Sequence, residues 1–381
     1  MPFDVTFIGT GATPDDPDRT GFAMAYRHAA GYDRLENCQL VACADLIKEN
    51  AEAFADHHGI NDDAVYEDYE TMLTEERPDI VSICVPPGVH APITIGAART
   101  GIPKAIHCEK PMATTWADAR KMTHACADAG VQLTINHQLR FGGPVTRAKE
   151  LLDEGAIGEL QRIEFSEEHL YDTGSHSFDL CNYFAGDTRV DWVLGQIEYS
   201  EENIWFGEHN ENQALTQWRY ENGVYGLGTT GNTDRMVDCY LRLSGTAGCL
   251  EIRPGKESLR LRTDGGSWRT VDTGTDRLYG PQAGLVKSAT RAVAGRLSTR
   301  AKRYLNDVPY TARGIEDLVT ALDNGNSPEL AASDALSADE LIFATWESAR
   351  QRGRVDLPLL IDGNPLKEMV ESGEIELADA S

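Results

Sequence analysis

From residue 4 to residue 135 the chain repeats one rhythm: a short apolar run, a helical stretch, another short apolar run. The runs cover residues 4–8, 39–44, 64–66, 78–85, 102–108 and 131–135. They are too short for core helices and lean on Val, Ile, Ala and Cys, as strands covered on both faces do. Between them the spacing predicts helices over 48–57, 91–100 and 114–129, the last closed by Gly130. Strands alternating with helices join by right-handed crossovers, which leaves a doubly wound parallel sheet.

Such sheets bind ligands beyond the carboxyl ends of their strands, so the residues that close each run matter most. The first run opens into Gly9-Thr10-Gly11, the start of a dinucleotide fingerprint, where glycines permit a tight turn and close approach of backbone N–H groups to a pyrophosphate. These features make residues 1–140 a Rossmann domain in expectation. The third glycine is displaced: position 14 is Pro, an acidic insert runs over 13–19, and the helix is expected from about Thr20-Gly21. Asp45 closes the second run, 34 positions beyond Gly11. It reads either as the acceptor of both ribose hydroxyls, favouring NAD over NADP, or as the N-cap of the helix that follows. Pro86 and Pro87 follow the fourth run and form a rigid floor suited to a flat ring; His90 either touches the cofactor or caps its helix. The fifth run ends in Glu109-Lys110-Pro111. Pro111 suits the first turn of a helix, and Lys110 then sits at a ligand-binding strand end, its alternative being a solvated surface lysine.

After residue 140 the rhythm changes. A helix over 143–154 precedes alternating segments at 160–165, 190–199, 213–220, 225–230, 238–244 and 249–252, the pattern of a mostly antiparallel sheet with one open face. Residues 141–381 are therefore expected to form an α+β domain for substrate binding and oligomerisation. A late helix at 338–352 is expected to pack back on the first domain, and the acidic tail after Gly363 to fray. The most basic stretch, 291–303, carries five Arg or Lys and reads as a solvated helix or linker. Within the second domain Asp172 and His176 stand four apart and would share a helix face. A carboxylate beside an imidazole fixes its tautomer and raises its basicity, as a general base near neutral pH requires.

Charge narrows the partners. Sixty-one acidic against 35 basic residues give −26, and nine of the 35 are Lys. That surface repels nucleic acid and anionic membranes, and salt would screen its self-repulsion. We expect a halophile's cytoplasmic protein. No apolar run reaches the length of a membrane span, and residues 1–8 lack the basic start of a signal peptide. The eight cysteines form no C-x-x-C and lie largely in expected strands, so they read as core residues, with no metal site expected.

Taken together, Gly9-Thr10-Gly11, Val85-Pro86-Pro87 with His90, Glu109-Lys110-Pro111, and Asp172 with His176 resemble the glucose-fructose oxidoreductase / inositol dehydrogenase / rhizopine-catabolism (Gfo/Idh/MocA) family. The resemblance spans residues 3 to about 360. It implies that Lys110, Asp172 and His176 line the substrate site, in an NAD(P)-dependent dehydrogenase acting on a sugar, polyol or sugar acid. Gly9, Thr10, Gly11, Asp45, Pro86, His90, Glu109 and Lys110 are then the candidates for cofactor binding, and His137 or Arg140 the candidates for binding substrate oxygens. The resemblance also implies a homo-oligomer, a dimer or tetramer. Family members include NAD-dependent glycosidases that work by transient oxidation and some non-catalytic chains, which stand as the rival functions.

Overall fold

The computed structural model describes residues 2–16, 21–231, 236–254, 258–273 and 309–375. Residues 17–19 of the acidic insert, the helix start expected at Thr20, the basic stretch 291–303 and the tail from 376 lie outside the described residues. The chain forms two compact units, one holding residues 1–113, 119–138 and 283–333, the other 114–118, 139–282 and 334–381.

The first unit is a six-stranded parallel sheet of β1 (Phe3–Ile8), β2 (Cys38–Ala44), β3 (Val65–Tyr66), β4 (Ile80–Ile83), β5 (Ala105–Cys108) and β6 (Gln132–Ile135). Its order is β3-β2-β1-β4-β5-β6. The order reverses between β1 and β4, which opens a crevice at their carboxyl ends. Helices α1 (Met24–Tyr32), α2 (Lys48–His58), α3 (Tyr69–Glu76), α4 (His90–Arg99) and α5 (Trp116–Ala129) make the crossovers. Phe7 of β1, fully buried, meets Phe54 of α2 at 5.0 Å and Tyr32 of α1 at 6.0 Å between ring centroids. Burial of each such ring stabilises the unit by roughly 1.5–3 kcal/mol.

Two local expectations are corrected. Helix α1 begins at Met24, three residues beyond Gly21, its N-cap Ala23 adopting a left-handed conformation without a side-chain cap. Pro111 does not enter the first turn of α5: the Lys110–Pro111 bond is cis and the helix starts at Trp116. The helix that joins this unit from late in the chain is Pro309–Asn324, packed against α1. The helix expected to return, Ala332–Gln351, groups from Asp334 onward with the second unit.

That unit is built on a nine-stranded mixed sheet. After α6 (Gly143–Asp153) come β7 (Leu160–Glu167), α7 (Gly174–Phe184) and β8 (Val190–Glu198). A small hairpin, β9 (Ile204–Trp205) and β10 (Glu208–His209), stands apart from the sheet. β11 (Gln213–Tyr220), β12 (Tyr225–Gly231), β13 (Leu241–Gly245), β14 (Gly248–Ile252), β15 (Leu259–Thr263), β16 (Arg269–Thr270) and β17 (Val355–Asp356) follow. The sheet order is β16-β15-β14-β13-β7-β12-β11-β8-β17, antiparallel except where β12 runs beside β7. Gly226 and Gly228 on β12 leave room for rings: a Cβ would stand 1.9 Å from Trp218 and 2.4 Å from Phe165. Those two rings and Phe178 of α7 form the core beneath the sheet. The opposite face leaves Leu194, Leu215 and Tyr225 exposed. The tail does not simply fray after Gly363. Residues Pro365–Ser372 form a helix whose N-cap, Asn364, accepts a hydrogen bond from the Lys367 N–H.

Candidate active site

The turn after β1 is possible only with glycine. Gly9 has φ +81°, and a Cβ there would lie 2.5 Å from Val85 Cγ1, so β1 and β4 approach through the missing side chain. Gly11 has φ +62°. Asp45 at the end of β2 closes on this turn. Its Oδ2 accepts from Thr10 N at 2.8 Å, Thr10 Oγ1 at 3.1 Å and Gly11 N at 2.9 Å, and its Oδ1 accepts from Ile47 N at 2.9 Å. The expected ribose acceptor is thus a strut inside the glycine loop, its lone pairs spent largely on the protein. A positive-φ glycine turn at the switch point suits the close approach of a dinucleotide's phosphates.

His90 opens α4 and is fully buried. Its Nδ1 lies 2.8 Å from Pro111 O and its Nε2 2.8 Å from Val85 O, tying the segment after β4 to the lysine turn. Burial lowers its pKa while the two carbonyls pull it upward, so they compete for its proton. The ring is an internal brace that does not touch solvent, and α4 has no side-chain cap hydrogen bond. Pro86 is exposed beside it, and Pro87 is buried.

Glu109 also turns inward. Its Oε1 receives His28 Nε2 at 2.9 Å and Asn136 Nδ2 at 2.6 Å, and its Oε2 accepts from Lys110 N at 3.2 Å. Burial alone would raise this carboxyl; His28, Asn136 and Lys110 outweigh it and hold the group well below the usual carboxylate range. Glu109 therefore braces the lysine turn, and its expected contact with cofactor gives way to contacts within the protein. Lys110 itself is half-buried at the end of β5, and His137 is buried just past the end of β6. Spacing alone gave no sign of His28, which lies on a helix face otherwise filled by core residues.

In the second unit His176 lies on α7, 6% exposed, but Asp172 does not share its helix. The helix starts at Gly174, leaving Asp172 half-buried in the preceding turn, where its carbonyl accepts from Ser175 Oγ at 3.1 Å. That turn closes on Gly174, whose N–H donates to His169 O at 2.8 Å and whose Cβ would clash there at 2.5 Å. Buried Glu211 holds its other end, accepting from Leu170 N at 2.7 Å, Thr230 Oγ1 at 2.9 Å and Trp346 Nε1 at 3.2 Å. Burial pushes the Glu211 carboxyl up to about 7 against those donors.

Arg140 is corrected outright. It is 2% exposed, and its guanidinium is bidentate to Asp179 of α7, at 2.9 and 2.8 Å, with further pairs to Asp187 at 3.2 Å and Asp334 at 3.6 Å. A fork so occupied holds α7 in place and has no reach for substrate. Among the described residues, no group of three or more His, Cys, Asp and Glu side chains could hold a metal ion. No described helix is long and apolar enough to cross a membrane.

A parallel sheet with a glycine turn at its switch point defines a dinucleotide-binding domain, here joined to a large mixed-sheet unit. Residues 5–137 match the oxidoreductase family with an NAD-binding Rossmann fold, and residues 161–357 match that family's C-terminal alpha/beta domain. The chain belongs to the Gfo/Idh/MocA oxidoreductase family. It is 24% identical over 372 residues to D-apiose dehydrogenase of Paraburkholderia graminis, covering 91% of each chain. It is 35% identical over 245 residues to D-xylose 1-dehydrogenase [NADP(+)] of Haloarcula marismortui, covering 58% of this chain and 67% of that one. Among solved structures, levoglucosan dehydrogenase in complex with NADH and levoglucosan superposes with a TM-score of 0.69 at 20% identity, covering 94% of this chain and 100% of the other.

Proposed function

We propose that this chain is an NAD(P)-dependent dehydrogenase that moves a hydride between a nicotinamide and the CH–OH group of a sugar, polyol or sugar acid. The observation that carries the reading is the placement of Lys110 at the carboxyl end of β5, braced by Glu109 and followed by a Pro111 carbonyl that faces His90. Its support is a family whose similar members include apiose, xylose and myo-inositol dehydrogenases. The Gly9–Gly11 turn with Asp45 would hold the dinucleotide, and Pro86 would lie under its ring. When bound, the nicotinamide supplies the hydride acceptor.

A hydroxyl that loses hydride must also lose its proton. His176 accepts that proton, and Asp172, in the turn ahead of α7, orients the ring. The Lys110 ammonium stabilises the negative charge that develops on the substrate oxygen. His137 contributes to the polar wall near the end of β6. The acidic surface suits a cytoplasm of high salt, and the exposed Leu194, Leu215 and Tyr225 face suits a second copy of the chain in a homo-oligomer.

The test compares wild type with Lys110→Ala and His176→Ala on a panel of aldoses, polyols and sugar acids, with NAD and with NADP. Wild type accumulates reduced cofactor. Each variant loses roughly 10²–10⁴-fold in kcat and binds NAD as before by calorimetry. Wild-type rates in either variant would refute that residue's role, and sugar release from glycosides without net NADH would move the chain to the transient-oxidation glycosidases.

A further inference from the structure

Glu109 is a buried carboxylate of the first unit, and one of its braces comes from far away in sequence. His28 sits on α1, the first helix after the glycine loop, fully buried, 81 positions from Glu109. Its Nε2 faces Glu109 Oε1 at 2.9 Å. Its Nδ1 lies 2.8 Å from Ser82 Oγ on β4 and 3.4 Å from Cys84 Sγ. A serine hydroxyl can donate to Nδ1, so a neutral ring satisfies both contacts with its single N–H on Nε2 directed at the carboxylate. Asn136, also fully buried and at the end of β6, donates to the same Oε1. With Oε1 held from two sides, Oε2 is left pointing at the Lys110 N–H, 3.2 Å away. Helix α1 and the residue after β6 thus converge on one carboxyl, β4 holding the far side of the imidazole, and the carboxyl's second oxygen grips the backbone of the next residue.

A buried carboxylate without these donors would be expensive. With them, its position is set to within a hydrogen bond's tolerance, and Lys110 inherits that precision through its own N–H. We propose that His28, with Asn136, is a positioning residue for Lys110, acting through Glu109 and linking the helix behind the cofactor loop to the lysine turn. The proposal rests on the reading of Lys110 given above.

The test uses His28→Phe, which keeps a ring of similar size and loses both hydrogen bonds, and His28→Gln, which restores an N–H toward Glu109. Asn136→Leu removes the other donor to the same oxygen. A misplacement of about 1 Å can lower turnover by about 10²-fold. His28→Phe and Asn136→Leu are expected to lose roughly 10–100-fold in kcat, with KM for sugar and NAD affinity within about threefold of wild type. His28→Gln should recover most of the loss. A second readout needs neither cofactor nor substrate: the rate at which trinitrobenzenesulfonate modifies the Lys110 amine in the intact apo-protein, followed by peptide mass spectrometry. That rate should change by about threefold or more in His28→Phe, the order expected when a hydrogen bond that fixes a side chain's base is lost. If His28→Phe and Asn136→Leu both fold with wild-type kcat, or if the labelling rate is unmoved, the positioning role is wrong. If Lys110→Ala retains full activity while His28→Phe still alters Lys110 labelling, the linkage stands and the catalytic reading of the lysine falls instead.

Discussion

Glu109 in the first unit and Glu211 in the second are the same residue type at nearly the same depth, and their environments drive them in opposite directions. Glu109 meets an imidazole, an amide and the charge of Lys110, and is held low. Glu211 meets a backbone N–H, a hydroxyl and an indole N–H, all neutral, and is pushed up to about 7. Neutral donors offset only part of the effect of burial; a titratable or charged neighbour reverses it. The carboxylate next to the candidate lysine is thus locked ionised, whereas the one behind the Asp172–His176 turn is poised to titrate.

The largest effect that could break this contrast lies with another compensated buried charge, Arg140. Arg140→Ala strands Asp179 beside Asp187 and Asp334, and should lower unfolding free energy by about 3–5 kcal/mol. Arg140→Met, which removes the cation but keeps the packing, should also destabilise; its deficit should shrink when Asp179 is replaced by Asn. Chemical denaturation checks both. A variant as stable as wild type would mean the network is not holding α7.

Next in size is the pH dependence. Glu211 has its folded pKa raised from 4.5 to about 7, so the folded state keeps a proton the unfolded chain has lost. Its contribution is fully present below 4.5 and lost as pH rises to about 7, on the order of 3 kcal/mol in all. Glu109 has the opposite sign: its contribution is present above 4.5 and lost as pH falls toward its depressed folded value. Glu211→Gln should therefore flatten the decline in stability between pH 4.5 and 7, and Glu109→Gln should flatten the acid limb. Thermal melts across pH 3–8 would show it; identical profiles for both variants would erase the distinction.

The smallest expected effect concerns Asp45. A strut that holds Thr10 and Gly11 serves either dinucleotide, so Asp45→Asn should weaken NAD and NADP binding by the same factor, about tenfold. A loss confined to NAD would return Asp45 to the ribose role that its position suggests.

That disagreement shows what a sequence makes legible. The six parallel strands could be read from local apolar runs, because burial on both faces leaves a continuous signature, and Gly9 and Gly11 could be read because positive φ demands glycine. The second sheet was legible through β14. Strands β15, β16 and β17 were not: β15 and β16 carry Arg and Thr, and β16 and β17 are two residues each. The polar residues were legible in place but not in direction. Asp45, His90, Glu109 and Arg140 each stand at a strand end or turn where a ligand-binding side chain would stand, and each points into the protein instead. Apart from Ile47 beside Asp45, Val85 near His90 and Lys110 beside Glu109, their partners sit 34–35, 21, 27–81 and 39–194 positions away, and no local spacing encodes such pairings. His28 and Glu211 were missed for the same reason: His28 is a lone polar residue on an apolar helix face, Glu211 is one of a polar run ahead of β11, and each is defined only by what folds against it.

The proposed chemistry requires Lys110 and His176 to serve one substrate hydroxyl. The most direct measurement is a crystal structure of the protein with NADH and an oxidisable aldose bound. The account predicts Lys110 Nζ and a His176 ring nitrogen both within about 3.2 Å of the same sugar oxygen, on the carbon facing the nicotinamide. Either group standing beyond the reach of a single bridging water, more than about 6 Å from that oxygen, would contradict it.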